Sequence, residues 1–196
     1  MKYNIPMKNI LIINGSPKKN GNTAKLISWF REGIKGARIE AVNAADLKFK
    51  VAGCNSCRVC QKIKEYKCVI RDGAGPVLNK MTDADVIVMA TPLYFYGPSA
   101  QLKVILDRMF CLFKWDNKTD VFSTPLKGKT LVLLASAYED IGLDTLAEPF
   151  RLTADYAGMK FKKLLVRNAG ESGEIGTLKG IKSKIVKFSR SLMPAS

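Results

Sequence analysis

The sequence predicts an α/β fold in which helices cover both faces of one parallel sheet. Short apolar segments alternate along the chain with longer segments whose apolar residues recur every three or four positions, as in amphipathic helices. The chain has 196 residues, 47% of them hydrophobic, which is an ordinary size for one domain around one core. We therefore expect a single doubly wound domain over residues 1–196, without internal repeats.

The first strand and helix follow directly from the apolar pattern. Residues 10–13 are a continuous apolar run, and residues 23–34 place Leu26 and Phe30 on one side of a helix that can cover a sheet. Residues 38–43 are short but suit a second strand. These elements form the first βαβ unit.

The middle of the chain repeats the alternation. Residues 85–91 are apolar almost throughout, which is typical of a parallel strand covered on both faces. Residues 99–113 carry an apolar stripe that includes Leu102, Ile105 and Met109, so they predict the next helix.

The last third supplies two more strands and two helices. Residues 129–136 and 161–167 read as strands, and residues 144–157 as a helix that is interrupted or kinked near Pro149. Residues 177–192 predict a final helix with lysines on its polar side. Its apolar face consists of Ile181, Ile185, Phe188 and Leu192.

The loop after the first strand is suited to binding a phosphate. Ser16, Lys18, Asn22 and Thr23 stand where the chain passes from a buried strand to a helix, whose first N–H groups lack partners. A nucleoside triphosphate loop would require Lys and Ser or Thr after Gly21, and no Gly-x-Gly-x-x-Gly run is present for a dinucleotide. The single terminal phosphate of flavin mononucleotide (FMN) fits this loop better.

The loop after the third strand can form a flat, partly apolar wall. It contains three consecutive aromatic residues next to a glycine, with prolines on both sides. An isoalloxazine ring needs such a surface together with backbone N–H donors. The candidate contacts are Pro92, Leu93, Tyr94, Phe95, Tyr96 and Gly97.

Both loops resemble those of a known group of flavoproteins. Gly-Ser-Pro-Lys-x-x-Gly-Asn-Thr at residues 15–23 is similar to the phosphate loop of the NADPH-dependent FMN reductase and iron–sulfur flavoprotein family. Thr-Pro-x-Tyr-x-x-x-x-Ser-Ala-Gln-Leu-Lys at residues 91–103 resembles its second flavin-contacting loop. The resemblance implies a flavodoxin-like three-layer sandwich whose five-stranded parallel sheet has the order 2-1-3-4-5. The ligand crevice then lies at the carboxyl ends of strands 1 and 3, and Ser136 and Tyr138 after the fourth strand are further candidate contacts.

Four of the five cysteines lie within fifteen residues, in a loop insertion at about residues 53–73. Cys54, Cys57, Cys60 and Cys68 have the spacing C-x2-C-x2-C-x7-C, which is more compact than the two separated knuckles of a zinc ribbon. This favours an iron–sulfur cluster over zinc, although the ferredoxin motif differs. The spacing resembles that of iron–sulfur flavoproteins, which implies a [4Fe–4S] cluster beside FMN. Structural or redox-active cysteines remain an alternative, whereas disulfides are disfavoured in a cytosolic chain.

The composition restricts the chemistry. No histidine is present, so Ser-His and Cys-His nucleophilic catalysis and His-based proton transfer are excluded. We expect no catalytic side chain, because a bound flavin performs its own redox chemistry. The net charge of +15 permits anionic partners such as nucleotide cofactors or nucleic acid.

These observations predict an FMN-dependent oxidoreductase that takes electrons from NAD(P)H or a ferredoxin-type donor. One alternative is a basic nucleic-acid-binding protein with a four-cysteine zinc loop. Another is a flavodoxin-type carrier, which the strongly basic charge disfavours because such carriers are typically acidic. The resemblance further implies a homodimer or homotetramer. No signal or membrane-spanning segment is evident, so we expect a cytoplasmic protein in which residues 1–6 are a loose leader.

Overall fold

A computed structural model describes residues 7–116 and 121–193; the predicted leader lies outside these residues. The strands are β1 Lys8–Asn14, β2 Ala37–Asn43, β3 Val86–Pro92, β4 Lys114–Asp116, β5 Val121–Ser123, β6 Thr130–Ser136 and β7 Lys160–Val166. Five of them form a parallel sheet in the order β2-β1-β3-β6-β7. This is the order 2-1-3-4-5 of the predicted core strands, so the flavodoxin-like sheet is confirmed.

Helices cover both faces of the sheet. They are α1 Asn22–Gly33, α2 Ala74–Asp83, α3 Ala100–Arg108, α4 Leu143–Tyr156 and α5 Ile181–Arg190. Alternate residues of β1 point to the two layers, with Ile10 and Ile12 packed under α1 and α5, and Leu11 and Ile13 packed under the other three helices. Because both sides of the strand are buried, its sequence is continuously apolar.

Three predicted helices have different limits in the structure. The helix predicted at 99–113 ends at Arg108, and Met109–Leu112 form a 3-10 turn. Of the two alternatives predicted near Pro149, an interruption or a kink, the interruption is wrong, because α4 continues through this residue. α5 begins at Ile181 rather than at residue 177.

Two features were not predicted from the sequence. α2 follows the cysteine-containing segment and packs Val77, Leu78 and Met81 into the core. β4 and β5 form a separate antiparallel hairpin after α3. No helix among the described residues combines the length and the apolar character needed to cross a membrane.

The sheet register places the functional loops at one edge. Asn14 pairs with Ala90 and Asn43, and Pro92 pairs with Ser136, so these strands end side by side. In parallel α/β sheets, ligands bind outside the carboxyl ends of the strands. The loops that follow β1, β2, β3 and β6 all start from this edge.

Candidate functional site

The phosphate loop, residues 15–21, is held against the start of α3. The N–H of Gly15 donates to the Ala90 carbonyl at 2.7 Å, and the Ser99 hydroxyl donates to the Gly15 carbonyl at 2.5 Å. A Cβ atom on Gly15 would lie 2.7 Å from the Cβ of Leu102, closer than such atoms approach. Only glycine therefore lets the loop pass this close to α3.

The remainder of the loop is turned outward by local hydrogen bonds. The N–H of Ser16 donates to Oδ1 of Asn14 at 3.0 Å, and the N–H of Lys18 donates to the Ser16 hydroxyl at 3.2 Å. Ser16 is buried, whereas Lys18 and Lys19 are exposed. The loop thus presents two lysines to solvent beside the first turn of α1.

The N-terminus of α1 has the electrostatic character of an anion site. Gly21 is its N-cap, no acidic residue lies in its first turn, and the Thr23 side chain is buried. The first N–H groups of a helix lack intrahelical partners, and the helix dipole is positive at this end. Backbone N–H groups and the lysine charges can therefore bind a phosphate together.

The side chain of Asn22 contacts a different loop, at residues 169–175. Its amide nitrogen donates to the carbonyls of residues 169–171 at 3.0–3.3 Å, and its oxygen accepts from the N–H groups of Gly173 and Ile175 at 2.8 and 3.1 Å. This amide fastens the segment after β7 to α1. The Asn22 side chain thus fixes the neighbouring loop, which leaves its backbone N–H for the predicted contact with FMN.

The aromatic turn, residues 94–97, is a tight reversal closed by two backbone hydrogen bonds of 3.0 Å between Tyr94 and Gly97. Phe95 and Tyr96 at its centre have φ angles of 44° and 64°. Such a turn favours Asn and Gly at these positions, because φ is positive at both. Both aromatic residues therefore have a strained backbone. The side chain of Phe95 is fully exposed.

Residues from the aromatic turn and from the loop after β6 form one cavity of about 250 Å³. Gly142 allows the two loops to meet, because a Cβ there would lie 2.5 Å from the Tyr96 ring. Ser136 is buried, and its carbonyl accepts from the N–H of Leu93 at 2.9 Å. The lining residues are Leu93, Phe95, Tyr96, Ala137, Tyr138, Glu139 and Ile141.

The structure therefore groups the predicted flavin contacts into two neighbouring parts. Leu93, Phe95, Tyr96 and Tyr138 share the cavity, and Pro92, Tyr94, Gly97 and Ser136 support its walls through the backbone. Ser16, Lys18, Asn22 and Thr23 belong to the phosphate loop and α1, outside the cavity. The Ser99 hydroxyl connects the two parts, because it contacts Gly15 and caps the helix that follows the aromatic turn.

Ion pairs fix the loop after β6. Arg167 donates to Asp140 at 2.5 Å and to Asp144 at 2.6 Å, and Lys163 donates to Asp144 at 3.1 Å. The hydrogen bond and charge of Lys163, followed by the charge of Arg167, lower the pKa of Asp144. These contacts attach the loop beside Tyr138 to β7.

The cysteine loop, residues 53–73, starts from the same edge, after β2. Cys54 and Cys57 are exposed, Cys68 is half-buried and Cys60 is buried, and all are free thiols. Burial raises the pKa of the Cys60 thiol. The four thiols line one narrow cavity of about 20 Å³, although no three metal-ligating side chains of the described residues stand close enough to hold an ion as they are placed.

A buried ion pair between Asp72 and Arg108 anchors the cysteine loop to α3. Both side chains are only 1% exposed, and Nη1 of Arg108 contacts the two carboxylate oxygens at 2.7 and 2.6 Å. The same carboxylate accepts the N–H groups of Lys50 and Ala74. Burial tends to raise the pKa of Asp72, but these bonds outweigh it and lower the pKa. Sequence analysis missed this pair, which lies 36 residues apart without a local pattern.

The β4–β5 hairpin holds the other side of the cysteine loop. Lys114 donates to the carbonyls of Cys60 and Ile63, and the Tyr66 hydroxyl bonds to that of Ser123 at 2.9 Å. Cys111, predicted to be a core thiol, is buried in the 3-10 turn, and burial raises its pKa to about 12. It lines the same cavity as the other four cysteines.

Solved structures of other proteins share this fold. An FMN-dependent NADH-azoreductase from Bacillus anthracis, in complex with FMN, superposes with a TM-score of 0.70 at 15% identity, covering 94% of this chain and 99% of that one. An NAD(P)H:quinone oxidoreductase from Methanothermobacter marburgensis gives 0.67 at 14% identity, covering 95% and 97%. At this identity the likeness shows the fold alone, which is the flavodoxin-like fold.

Sequence comparison assigns the family. Residues 8–165 match the model of the NADPH-dependent FMN reductase family, so the chain belongs to it. An iron–sulfur flavoprotein from Methanocaldococcus jannaschii is 38% identical over 102 residues, 50% of each chain. One from Methanosarcina thermophila is 35% identical over 100 residues, 51% of each. The matched segments span about half the length of these curated relatives.

Proposed function

We propose that this chain is an FMN-dependent oxidoreductase whose flavin lies across the carboxyl ends of β1, β3 and β6. The observation that carries the proposal is the hydrogen bond from the Ser99 hydroxyl to the Gly15 carbonyl. It joins the phosphate loop to the segment that bears the aromatic turn. The phosphate loop and the ring cavity are thereby held in fixed positions relative to each other, as a ligand with a phosphate at one end and a flat ring at the other requires.

The residues present suit the two ends of FMN. The phosphate would be bound by backbone N–H groups of the phosphate loop and α1 and by Lys18, which is exposed beside them. The ring would lie in the cavity between the aromatic turn and Tyr138, whose lining is mostly apolar and aromatic. FMN bound there would supply two-electron exchange with NAD(P)H and single-electron exchange with a metal cluster or carrier protein.

Flavin titration tests this site. We expect Lys18→Ala to weaken the binding of FMN but leave the binding of riboflavin, which lacks the phosphate, unchanged. Lys35→Ala is the matched control, because Lys35 is exposed beyond the opposite end of the same helix. Fluorescence titration of the flavin-free protein gives both dissociation constants. Equal weakening of FMN and riboflavin by Lys18→Ala would place the phosphate elsewhere.

We further propose that Cys54, Cys57, Cys60 and Cys68 bind a [4Fe–4S] cluster. Four free thiols line one cavity together with the buried residue Arg108. A thiolate-bound cluster is anionic, so the Arg108 charge and the nearby Lys114 ammonium suit it. The names of the matched relatives agree with this metal. The cluster would exchange single electrons with the flavin or with a ferredoxin-type donor.

Metal analysis of protein purified without oxygen tests the cluster. We expect iron and acid-labile sulfide in the wild type, and loss of iron with retention of FMN in Cys57→Ser. Cys111→Ala, which alters a buried thiol beside the same cavity, should keep its iron. Zinc without flavin would instead support the nucleic-acid-binding alternative, and FMN without iron would leave a plain FMN reductase.

The electron donor and the assembly state are separate parts of the proposal. Anaerobic mixing with NADH, NADPH or a reduced ferredoxin, followed by flavin absorbance, distinguishes a nicotinamide donor from a carrier protein. We also propose a homodimer or homotetramer, which light scattering of the loaded protein measures directly. A monomer at all concentrations would contradict that part.

A further inference from the structure

Arg108 has one buried nitrogen, Nε, without a hydrogen-bond partner among the described residues. Nη1 donates to both oxygens of Asp72, and Nη2 donates to the Ile70 carbonyl at 3.0 Å. Nε has no hydrogen-bond partner, and it is the only buried side-chain nitrogen or oxygen of the described residues in this state. Leaving a buried donor unpaired destabilises a fold, so such a group is usually paired with a bound water, ion or cofactor.

The surroundings of Arg108 indicate what that partner is. Arg108 lines the same cavity as the four thiols of the cysteine loop. Its guanidinium interacts with the Cys68 thiol as well as with the Asp72 carboxylate. Since the other two guanidinium nitrogens are held by Asp72 and Ile70, the side chain has a fixed orientation, and Nε is the one guanidinium nitrogen without a hydrogen-bond partner.

We propose that the Nε–H of Arg108 donates a hydrogen bond to the sulfur of Cys68 once the cluster is bound, and thereby raises the reduction potential of the cluster. This inference rests on the proposed [4Fe–4S] site. Reduction of the cluster takes one electron from the flavin or the donor, breaks no bond, and adds one negative charge. A cation that donates to a ligand sulfur stabilises the reduced form more than the oxidised form.

Asp72 has the role of a positioning residue in this arrangement. It binds one edge of the guanidinium and is itself held by two backbone N–H groups. An ammonium group could replace the charge of Arg108 but not its geometry, because lysine has no second nitrogen at the position of Nε. Charge and N–H donation can therefore be separated by substitution.

The test compares reduction potentials of the loaded protein, measured by redox titration with EPR detection of the reduced cluster. In Arg108→Lys we expect iron content and FMN to be kept and the potential to fall below that of the wild type. The double variant Arg108→Gln, Asp72→Asn removes both charges together, so that no lone charge stays buried. Its potential should also fall. Arg71→Gln is the control, because this nearby arginine is exposed, and its potential should equal that of the wild type.

A spectroscopic measurement tests the bond itself. In protein labelled with 15N in its arginine side chains, pulsed EPR of the reduced cluster should show a coupling from Arg108 in the wild type and in Arg71→Gln. Arg58→Gln identifies any coupling from Arg58, the other arginine that lines the cavity. The coupling from Arg108 should be lost in Arg108→Lys. Its absence from the wild type, or its persistence in Arg108→Lys, would overturn the proposal.

The remaining outcomes are also decisive. Unchanged potentials in both Arg108 variants would overturn the inference while the cluster proposal stands. Loss of iron from Arg108→Lys with FMN retained would overturn it too, because Arg108 would then be needed to assemble the site rather than to set its potential. A wild type that binds no iron after anaerobic reconstitution would refute the proposed cluster first, and the inference with it.

Discussion

The phosphate loop and the cysteine loop leave the same edge of the sheet but are fixed in different ways. The phosphate loop is held by backbone contacts of Gly15 and by one hydroxyl, all close to the strand ends. The cysteine loop is held by a buried ion pair between Asp72 and Arg108 and by a hairpin far along the chain. The phosphate loop therefore depends on the missing side chain of Gly15. The cysteine loop depends on an ion pair of which both partners must be present.

Breaking the ion pair should have the largest effect on stability. Asp72→Ala leaves the Arg108 cation buried without its counterion, so we expect the free energy of unfolding to fall by about 3–5 kcal/mol. Urea denaturation monitored by circular dichroism measures this. Lys103→Ala, which removes an exposed ion pair with Asp107 on the same helix, should lower it by less than about 1 kcal/mol. Similar losses in the two variants would contradict the distinction drawn between the loops.

Gly15→Ala should act mainly on the phosphate loop and on its affinity for FMN. The new Cβ would push the phosphate loop away from Leu102, so we expect FMN affinity to fall by at least about tenfold, which corresponds to about 1.4 kcal/mol. The loss of stability should be smaller than in Asp72→Ala, at about 1–3 kcal/mol. Gly75→Ala, where the Cβ has room inside α2, is the control and should leave FMN affinity unchanged. The comparison fails if both glycine variants bind FMN equally.

Phe95→Asn separates the stability of the aromatic turn from its role in binding FMN. Asn tolerates the positive φ of this position better, and the fully exposed Phe95 ring makes no packing contribution that would be lost. We therefore expect stability to rise by about 0.5–1 kcal/mol while FMN affinity falls. Thermal unfolding of the flavin-free protein and flavin titration measure the two quantities. A fall in stability would show that the aromatic turn is not strained at Phe95.

The smallest effect is expected at the loop after β6. Asp144→Asn should lower stability slightly at neutral pH, because Lys163 and Arg167 stabilise the exposed carboxylate and lower its pKa. A lowered pKa in the folded state means that this contribution exists above the ordinary carboxyl pKa and disappears as the pH falls below it. Wild type and variant should therefore converge in acid and in high salt. Denaturation at several pH values checks the convergence.

The sequence predicted the elements that depend on local pattern. The three central strands, β1, β3 and β6, are predicted from the sequence because burial on both faces makes them apolar. The phosphate loop was recognisable because its glycines and polar residues occur at fixed spacing. These features follow from the immediate neighbours of each residue in the chain.

The elements that were missed depend on distant contacts. α2 contains Gly75 and Pro76 near its start, a pair that locally resembles a turn, and its packing against the sheet stabilises this short helix. The three-residue strands β4 and β5 are too short to show alternation. No local sequence pattern links Asp72 to Arg108. The positive charge of Arg108 at the thiol cavity is therefore seen only in the structure.

Part of the high positive charge lies on β7, an edge strand of the sheet. β2 and β7 are the outer strands, and β7 exposes Lys160, Lys162 and Lys163 along its free edge. Charged side chains on an edge strand oppose the addition of a strand from another chain, which is the usual start of aggregation between sheets. The lysines of β7 thus oppose the addition of a strand from another chain at this edge of the sheet.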